Sequence, residues 1–80
     1  EQSGYFRVKA QTEIADFNRA FGTEFSDTDF DTVGGLVLHR FGRLPKRGET
    51  VSIGGLRFQV LRGDSRRLHV LQVQRQPGKV

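Results

Sequence analysis

The chain has 80 residues, 35% of them hydrophobic, and 13 Lys and Arg against 9 Asp and Glu give it a net charge of +4. One small domain follows, whose core supplies only about 3–5 kcal/mol net, and the absence of cysteine excludes disulfides, zinc–thiolate sites and thiol nucleophiles. No apolar run approaches the ~18–20 residues that span a bilayer, and no signal peptide is recognisable.

Tyr5-Phe6-Arg7-Val8-Lys9-Ala10 alternates apolar and polar side chains, the period of a half-buried strand. Between Thr12 and Gly22, Ile14, Phe17 and Phe21 recur at helical spacing, which predicts a short helix with its aromatic stripe on the core. Thr12 is placed to cap its start, and Gly22 suits its end. A second helix is predicted over Thr32–Phe41, with Val33, Leu36, Val37 and Phe41 on one face and Leu38 beside them. Gly42 reads as a left-handed terminator, Leu44 as a residue folding back on the last turn, and Pro45 forbids continuation; Gly48 completes the exit loop. Gly34 and Gly35 each cost about 1 kcal/mol relative to alanine inside a helix. Two of them so early point to close approach by another backbone or a ligand.

The rest reads as strand. Thr50–Ile53 and Leu56–Leu61 flank Gly54-Gly55, which predicts a tight hairpin, because both turn residues of a type I′ turn need positive φ. Gly63-Asp64-Ser65 forms a turn into Leu68–Gln74, where the apolar phase slips between Val70 and Leu71; a bulge or a strand buried on both faces is expected there. The predicted fold is α+β: strand, helix, helix, then a three-stranded antiparallel meander, with the helices on one face of the sheet. The domain is expected over residues 5–75, with 1–4 and 76–80 as flexible ends. With no methionine, not even at position 1, the chain is expected to be a piece of a longer protein.

Charge is unevenly distributed along the chain. Residues 1–32 carry seven acids (Glu1, Glu13, Asp16, Glu24, Asp27, Asp29, Asp31) against three bases (Arg7, Lys9, Arg19), a balance of −4. The remainder carries ten Lys and Arg against Glu49 and Asp64, a balance of +8. A basic half suits an anion, a membrane surface or an acidic partner, and equally a solvated face.

The candidate metal ligands are Glu24, Asp27, Asp29 and Asp31. Asp27-x-Asp29-x-Asp31 opens like a calcium-binding EF-hand loop, which requires glycine at its sixth position and a bidentate carboxylate at its twelfth. Those positions are Thr32 and Leu38, so the cage cannot close. The better reading has Asp31 capping the second helix, with Asp27 and Asp29 at its positive end. His39 and His69 fall in different elements, and neither a serine–histidine–acid arrangement nor paired carboxylates beside an apolar pocket is present. The chain therefore reads as a non-enzyme. Arg62-Gly63-Asp64 reads as a structural turn. No phosphate-cradling glycine loop is present. Arg57, Arg62, Arg66, Arg67 and Arg75 are placed to line one sheet surface, but without interleaved aromatics, so nucleic acid is not expected.

The segments DFNRAFGTEF (Asp16–Phe25), DFDTVGGLVLHRFGRLPKRGE (Asp29–Glu49), IGGLRFQVL (Ile53–Leu61) and DSRRLHVLQV (Asp64–Val73) resemble a known family. It is the transporter-associated domain at the C-terminus of bacterial magnesium and cobalt efflux proteins of the CorC type and hemolysin-like relatives. The resemblance runs roughly from Phe6 to Val73, and Asp-Thr-x-Gly-Gly-Leu and Gly-x-Leu-Pro-x-x-Gly-Glu are its most specific parts. It implies a non-catalytic C-terminal module that modulates divalent-cation transport. Its partners would be nucleotide-binding CBS modules of the same parent chain, or a second copy. The location would be cytoplasmic, at the membrane where the parent has a membrane region. No cofactor is expected, although the family's fold resembles a subdomain of FAD-binding flavoenzymes, which implies FAD or an adenine nucleotide as an alternative ligand. Asp31, Thr32, Gly34 and Gly35 match the family's helix start, Gly42, Pro45 and Gly48 its exit loop, and Asp64 its last turn. No ligand position is carried over.

Overall fold

A computed structural model describes residues 4–75. The elements are β1 (Tyr5–Lys9), α1 (Ile14–Phe21), α2 (Val33–Phe41), β2 (Thr50–Ile53), β3 (Leu56–Gly63) and β4 (Leu68–Arg75). The meander is present as expected, and β1 adds to it beside β4, giving a four-stranded antiparallel sheet of order β1-β4-β3-β2. Of the ends expected to be flexible, Gly4 lies in a turn, and residues 1–3 and 76–80 lie outside the described residues.

Alternation decides which face of the sheet is covered. Val51, Phe58, Val73 and Phe6 pair across the strands in one row, and Val60, Leu71 and Val8 in the next. Their shared face meets Ile14 and Phe17 of α1 and Val33, Leu36 and Val37 of α2, forming one core. Phe17 is the hub: its ring lies 4.3 Å from Phe21, 6.0 Å from Phe25 and 5.9 Å from Phe58. The pairs with Phe21 and Phe25 are stacked and that with Phe58 is tilted, and aromatic pairs at these spacings add to the burial of their area. β1 is less buried than its alternation suggests, because it is an edge strand: Phe6 stays 41% exposed, with only an edge contact to Phe21 at 5.3 Å.

The phase slip in β4 has its cause across the ladder. Val60 pairs with Leu71, Arg62 with Val70 and Gly63 with Leu68, so Leu61 on β3 and His69 on β4 are in turn left without a partner. This double irregularity returns Leu68 to the core while Leu71 and Val73 stay there. The Gly54-Gly55 turn has φ of 57° and 83°, the positive pair that its type requires.

Two helix starts differ from the sequence reading. α1 begins at Ile14, with Glu13 rather than Thr12 at its cap position and no side-chain cap bond. α2 is capped by Thr32, not Asp31: the Thr32 hydroxyl accepts the Gly35 amide at 3.1 Å, the bond a capping side chain makes to the third helical residue. Asp31 takes part through its backbone, its carbonyl accepting the Ile14 amide at 3.0 Å.

Candidate functional site

The glycine pair belongs to a junction between the two helix starts and the end of β1. The Gly34 amide donates to the Ala10 carbonyl at 2.8 Å, the Val33 amide to Thr12 at 2.9 Å and the Ile14 amide to Asp31 at 3.0 Å; Glu13 and Thr32 form a β-bridge. With the Thr32 cap, every amide in the first turn of α2 before its own ladder begins is satisfied: Val33, Gly34 and Gly35. These amides are therefore committed within the chain and not offered to an anion. The close approach expected at the glycines is real but falls on one of them. A Cβ on Gly34 would lie 2.9 Å from both the Ala10 Cβ and its carbonyl oxygen, whereas one on Gly35 would meet only the Thr32 hydroxyl at 3.4 Å.

The acidic loop is exposed. Ser26 organises it, its hydroxyl accepting the Thr28 amide at 3.4 Å and the Asp29 amide at 3.3 Å. Asp27 and Asp31 share a shallow depression with Glu13, and Glu24 and Asp29 are not among its lining residues. Among the described residues no three His, Asp or Glu side chains come together as a metal site. The four carboxylates proposed from sequence are thus not gathered into a common oxygen cage.

The exit loop and the last turn each enclose one carboxylate. After the left-handed Gly42, Arg43 forms a fork on Glu49 at 2.9 and 2.6 Å, and Glu49 also accepts the Lys46 amide at 2.7 Å. The Arg43 guanidinium first, and that amide second, hold the Glu49 carboxyl down at about 2. Asp64 is held well below the usual carboxylate range, chiefly by His69 at 2.9 Å and then by the Arg66 and Arg67 amides at 2.7 and 2.8 Å. Arg62 and Gly63, expected from sequence in a turn with Asp64, are instead the last paired residues of β3; the turn runs from Asp64 to Arg67, and the Asp64 carboxylate orders its backbone.

Several arrangements were not foreseen. Asn18 gathers the loop after α1: its side-chain oxygen accepts the Thr23 hydroxyl at 2.7 Å and the Phe25 amide at 3.0 Å, and its NH2 donates to the Phe25 carbonyl at 2.9 Å. An asparagine one helical turn ahead of a helix-ending glycine is the only local signal for this. Arg75 leaves the basic surface it was assigned to. It pairs across the ladder with Leu56, reaches the Phe21 carbonyl at 2.9 Å and covers the Phe21 ring at 5.5 Å. Arg57 and Arg62 lie on the outer sheet face, in rows with Gln74 and Ser52 and with Val70, and Arg66 and Arg67 lie in the β3–β4 turn. His39 rests against Phe30 at 5.0 Å.

The chain as a whole is similar to known proteins. The family model of the CorC_HlyC transporter associated domain matches residues 1–77. The chain belongs to this family. It is 60% identical over 68 residues, 85% of its length, to the magnesium and cobalt efflux protein CorC of Vibrio cholerae. It is 54% identical over 67 residues to the CorC of Escherichia coli K12. It spans only 23% of the length of each of these relatives. Among solved structures, the Mg2+ and Co2+ transporter (CorC) associated region of Neisseria meningitidis MC58 superposes with a TM-score of 0.88 at 54% identity, covering 92% of this chain and 91% of that one. A CorC_HlyC domain from a Xylella fastidiosa hemolysin, solved with Mg++ and Mn++, gives 0.84 at 26% identity, covering 96% and 94%. The CorC_HlyC fold is thereby that of this chain, and no helix among its described residues is long and apolar enough to cross a membrane.

Proposed function

We propose that this CorC_HlyC domain is a non-catalytic accessory module of a divalent-cation efflux protein, which modulates magnesium and cobalt transport by docking on neighbouring domains of its parent chain or on a second copy. The observation that carries this reading is the 60% identity over 85% of the chain to a protein described as a magnesium and cobalt efflux protein, of which it spans 23%. The polar groups support it too: the helix-start amides, Asp64, Glu49 and Asn18 are each engaged in holding turns and helix ends rather than aimed into a common cleft. CBS modules are the first candidate partners, since the same fold occurs in a CBS domain protein of Porphyromonas gingivalis.

The test is deletion of residues 5–75 from the full-length parent, followed by cobalt tolerance of the cells and cross-linking of the purified protein. Reduced tolerance with altered cross-links is the expected result; unchanged tolerance and unchanged assembly together refute the reading. A module for FAD or an adenine nucleotide is the second reading. What favours it is a pair of arginines beside the β3–β4 irregularity that make no ion pair among the described residues.

A further inference from the structure

The basic side chains on the outer sheet face are not evenly spread. At the irregular end of β3 and β4 an open depression of about 490 Å³ is lined by Arg47, Leu61, Arg62, Gly63, His69 and Val70. Its position follows from the ladder. The Gly48 amide donates to the Val60 carbonyl at 2.8 Å, and the Val60 amide to Glu49 at 3.0 Å, which fastens the exit loop beside Val60 and brings Arg47 next to Leu61. The unpaired Leu61 then shifts the phase of β3, so that Arg62 stands opposite Val70 on the outer face. Bulges re-aim side chains in this way and are common beside binding sites.

The nearby acids are not paired with the arginines of the depression, although the Asp64 carboxylate stands at its edge on His69. Glu49 is occupied by the Arg43 fork and the Lys46 amide, and Asp64 by His69 and two turn amides. Among the described residues Arg47 and Arg62 make no ion pair. Arg47 and Arg62 line one depression together with the apolar Leu61 and Val70, a combination that suits tetrahedral oxygens with a less polar group attached.

We propose that this depression binds the phosphate group of a phosphate ester or pyrophosphate, with Arg47 and Arg62 as its principal donors and His69 at its edge. The site is independent of the accessory role, and it rests on the nucleotide reading only if the phosphate belongs to a free nucleotide. The other source of the same chemistry is a lipid headgroup.

The relative from Neisseria, of which this chain covers 91%, folds at this extent, so the isolated domain is the material for the test. Amide shifts of the 15N-labelled domain are followed during titration with inorganic pyrophosphate, ADP and FAD. Flotation with phosphatidylglycerol and phosphatidylcholine vesicles runs in parallel. Saturable shifts confined to Arg47, Arg62, Gly63, His69 and Val70, with a Kd at or below about 1 mM, are expected. Arg62→Gln and Arg47→Gln should each weaken binding about tenfold, the loss of one charge-assisted contact. Arg57→Gln, at the other end of β3, should leave it unchanged.

Tighter binding of ADP or FAD than of pyrophosphate assigns the phosphate to a free nucleotide. Binding to phosphatidylglycerol vesicles alone, lost in Arg62→Gln, assigns it to a lipid. Shifts spread over all basic residues, or an Arg57→Gln effect equal to that of Arg62→Gln, overturn the site, as does silence in every arm. Failure of ADP and FAD with pyrophosphate still bound removes the nucleotide reading alone.

Discussion

Gly34→Ala isolates the contact on which the junction of β1, α1 and α2 depends. The added methyl would lie 2.9 Å from the Ala10 Cβ and 2.9 Å from the Ala10 carbonyl oxygen. Carbon atoms pack comfortably at about 3.5–4.0 Å, so one chain must give by most of an ångström. The carbonyl oxygen is backbone, held by the 2.8 Å bond from the Gly34 amide itself, and the Ala10 Cβ is fixed directly to that backbone, so neither can swing aside as a side-chain tip would. Overpacking of this kind costs about 1–3 kcal/mol, and stretching a buried hydrogen bond adds about 1 kcal/mol more. Against this stands a gain in helix propensity of about 1 kcal/mol. The net expectation is a loss of about 1–3 kcal/mol, at roughly 4–8 °C in Tm per kcal/mol for a domain this small. Gly35→Ala has the same propensity gain and meets only the Thr32 hydroxyl at 3.4 Å, so it should be neutral or stabilising by up to about 1 kcal/mol. Urea unfolding of both variants followed by circular dichroism gives the comparison. Equal stabilities for the two, or a Gly34→Ala protein as stable as the parent, would show that the backbone approach is not tight.

The other expectations concern the caps and the enclosed carboxylates. Thr32→Ala should lose about 1 kcal/mol, and Asp31→Ala, whose side chain caps nothing, should stay within about 0.5 kcal/mol in the same unfolding assay. Glu49 has its folded pKa depressed, so its contribution is present above its ordinary value of 4.5 and drains away as pH falls toward about 2. Melting temperature should therefore drop across that window, and Glu49→Gln should flatten the drop; an unchanged profile in Glu49→Gln would dissociate the Arg43 fork from stability. Magnesium should move the Tm no further than sodium chloride of equal ionic strength, since Glu24, Asp27, Asp29 and Asp31 form no shared cage. A larger shift, abolished by Asp27→Asn with Asp29→Asn, would contradict this.

Much of the fold was legible because its signals are local. Ile14, Phe17 and Phe21 repeat at the helical period, Gly54-Gly55 sits between alternating runs, and Gly42 is followed by proline after one turn of loop; each reads correctly without knowledge of the rest. The glycine pair announced a close approach, yet nothing near it could say which glycine was touched, because the partner, Ala10, lies just past the end of the first strand. The choice between Asp31 and Thr32 as cap failed for a related reason. Both residue types cap well, and the register was decided by the long-range bonds from Ile14 to Asp31 and from Val33 to Thr12. Contacts that span the chain were invisible: Arg75 meets Phe21 at a separation of 54 positions, and the docking of β1 on β4 joins the two ends of the domain. The phase slip was visible in β4, but its first unpaired residue, Leu61, lies on β3. For the site, charge asymmetry identified a basic half, while the selection of Arg47 and Arg62 from its other arginines came from the bulge and the fastened exit loop.

The bonds joining Thr12 to Val33 and Asp31 to Ile14 close a ring of chain that contains the whole first helix and the acidic segment behind it. Inside the ring α1 is fixed by the core, whereas the exposed acidic residues between Ser26 and Phe30 are not packed against the frame. The exposed stretch of residues 27–29 can be lengthened or rewritten at the small, logarithmic entropic penalty of a longer tether. A fold fastened this way can vary the chemistry it displays on that flank while the sheet and the second helix stay as they are.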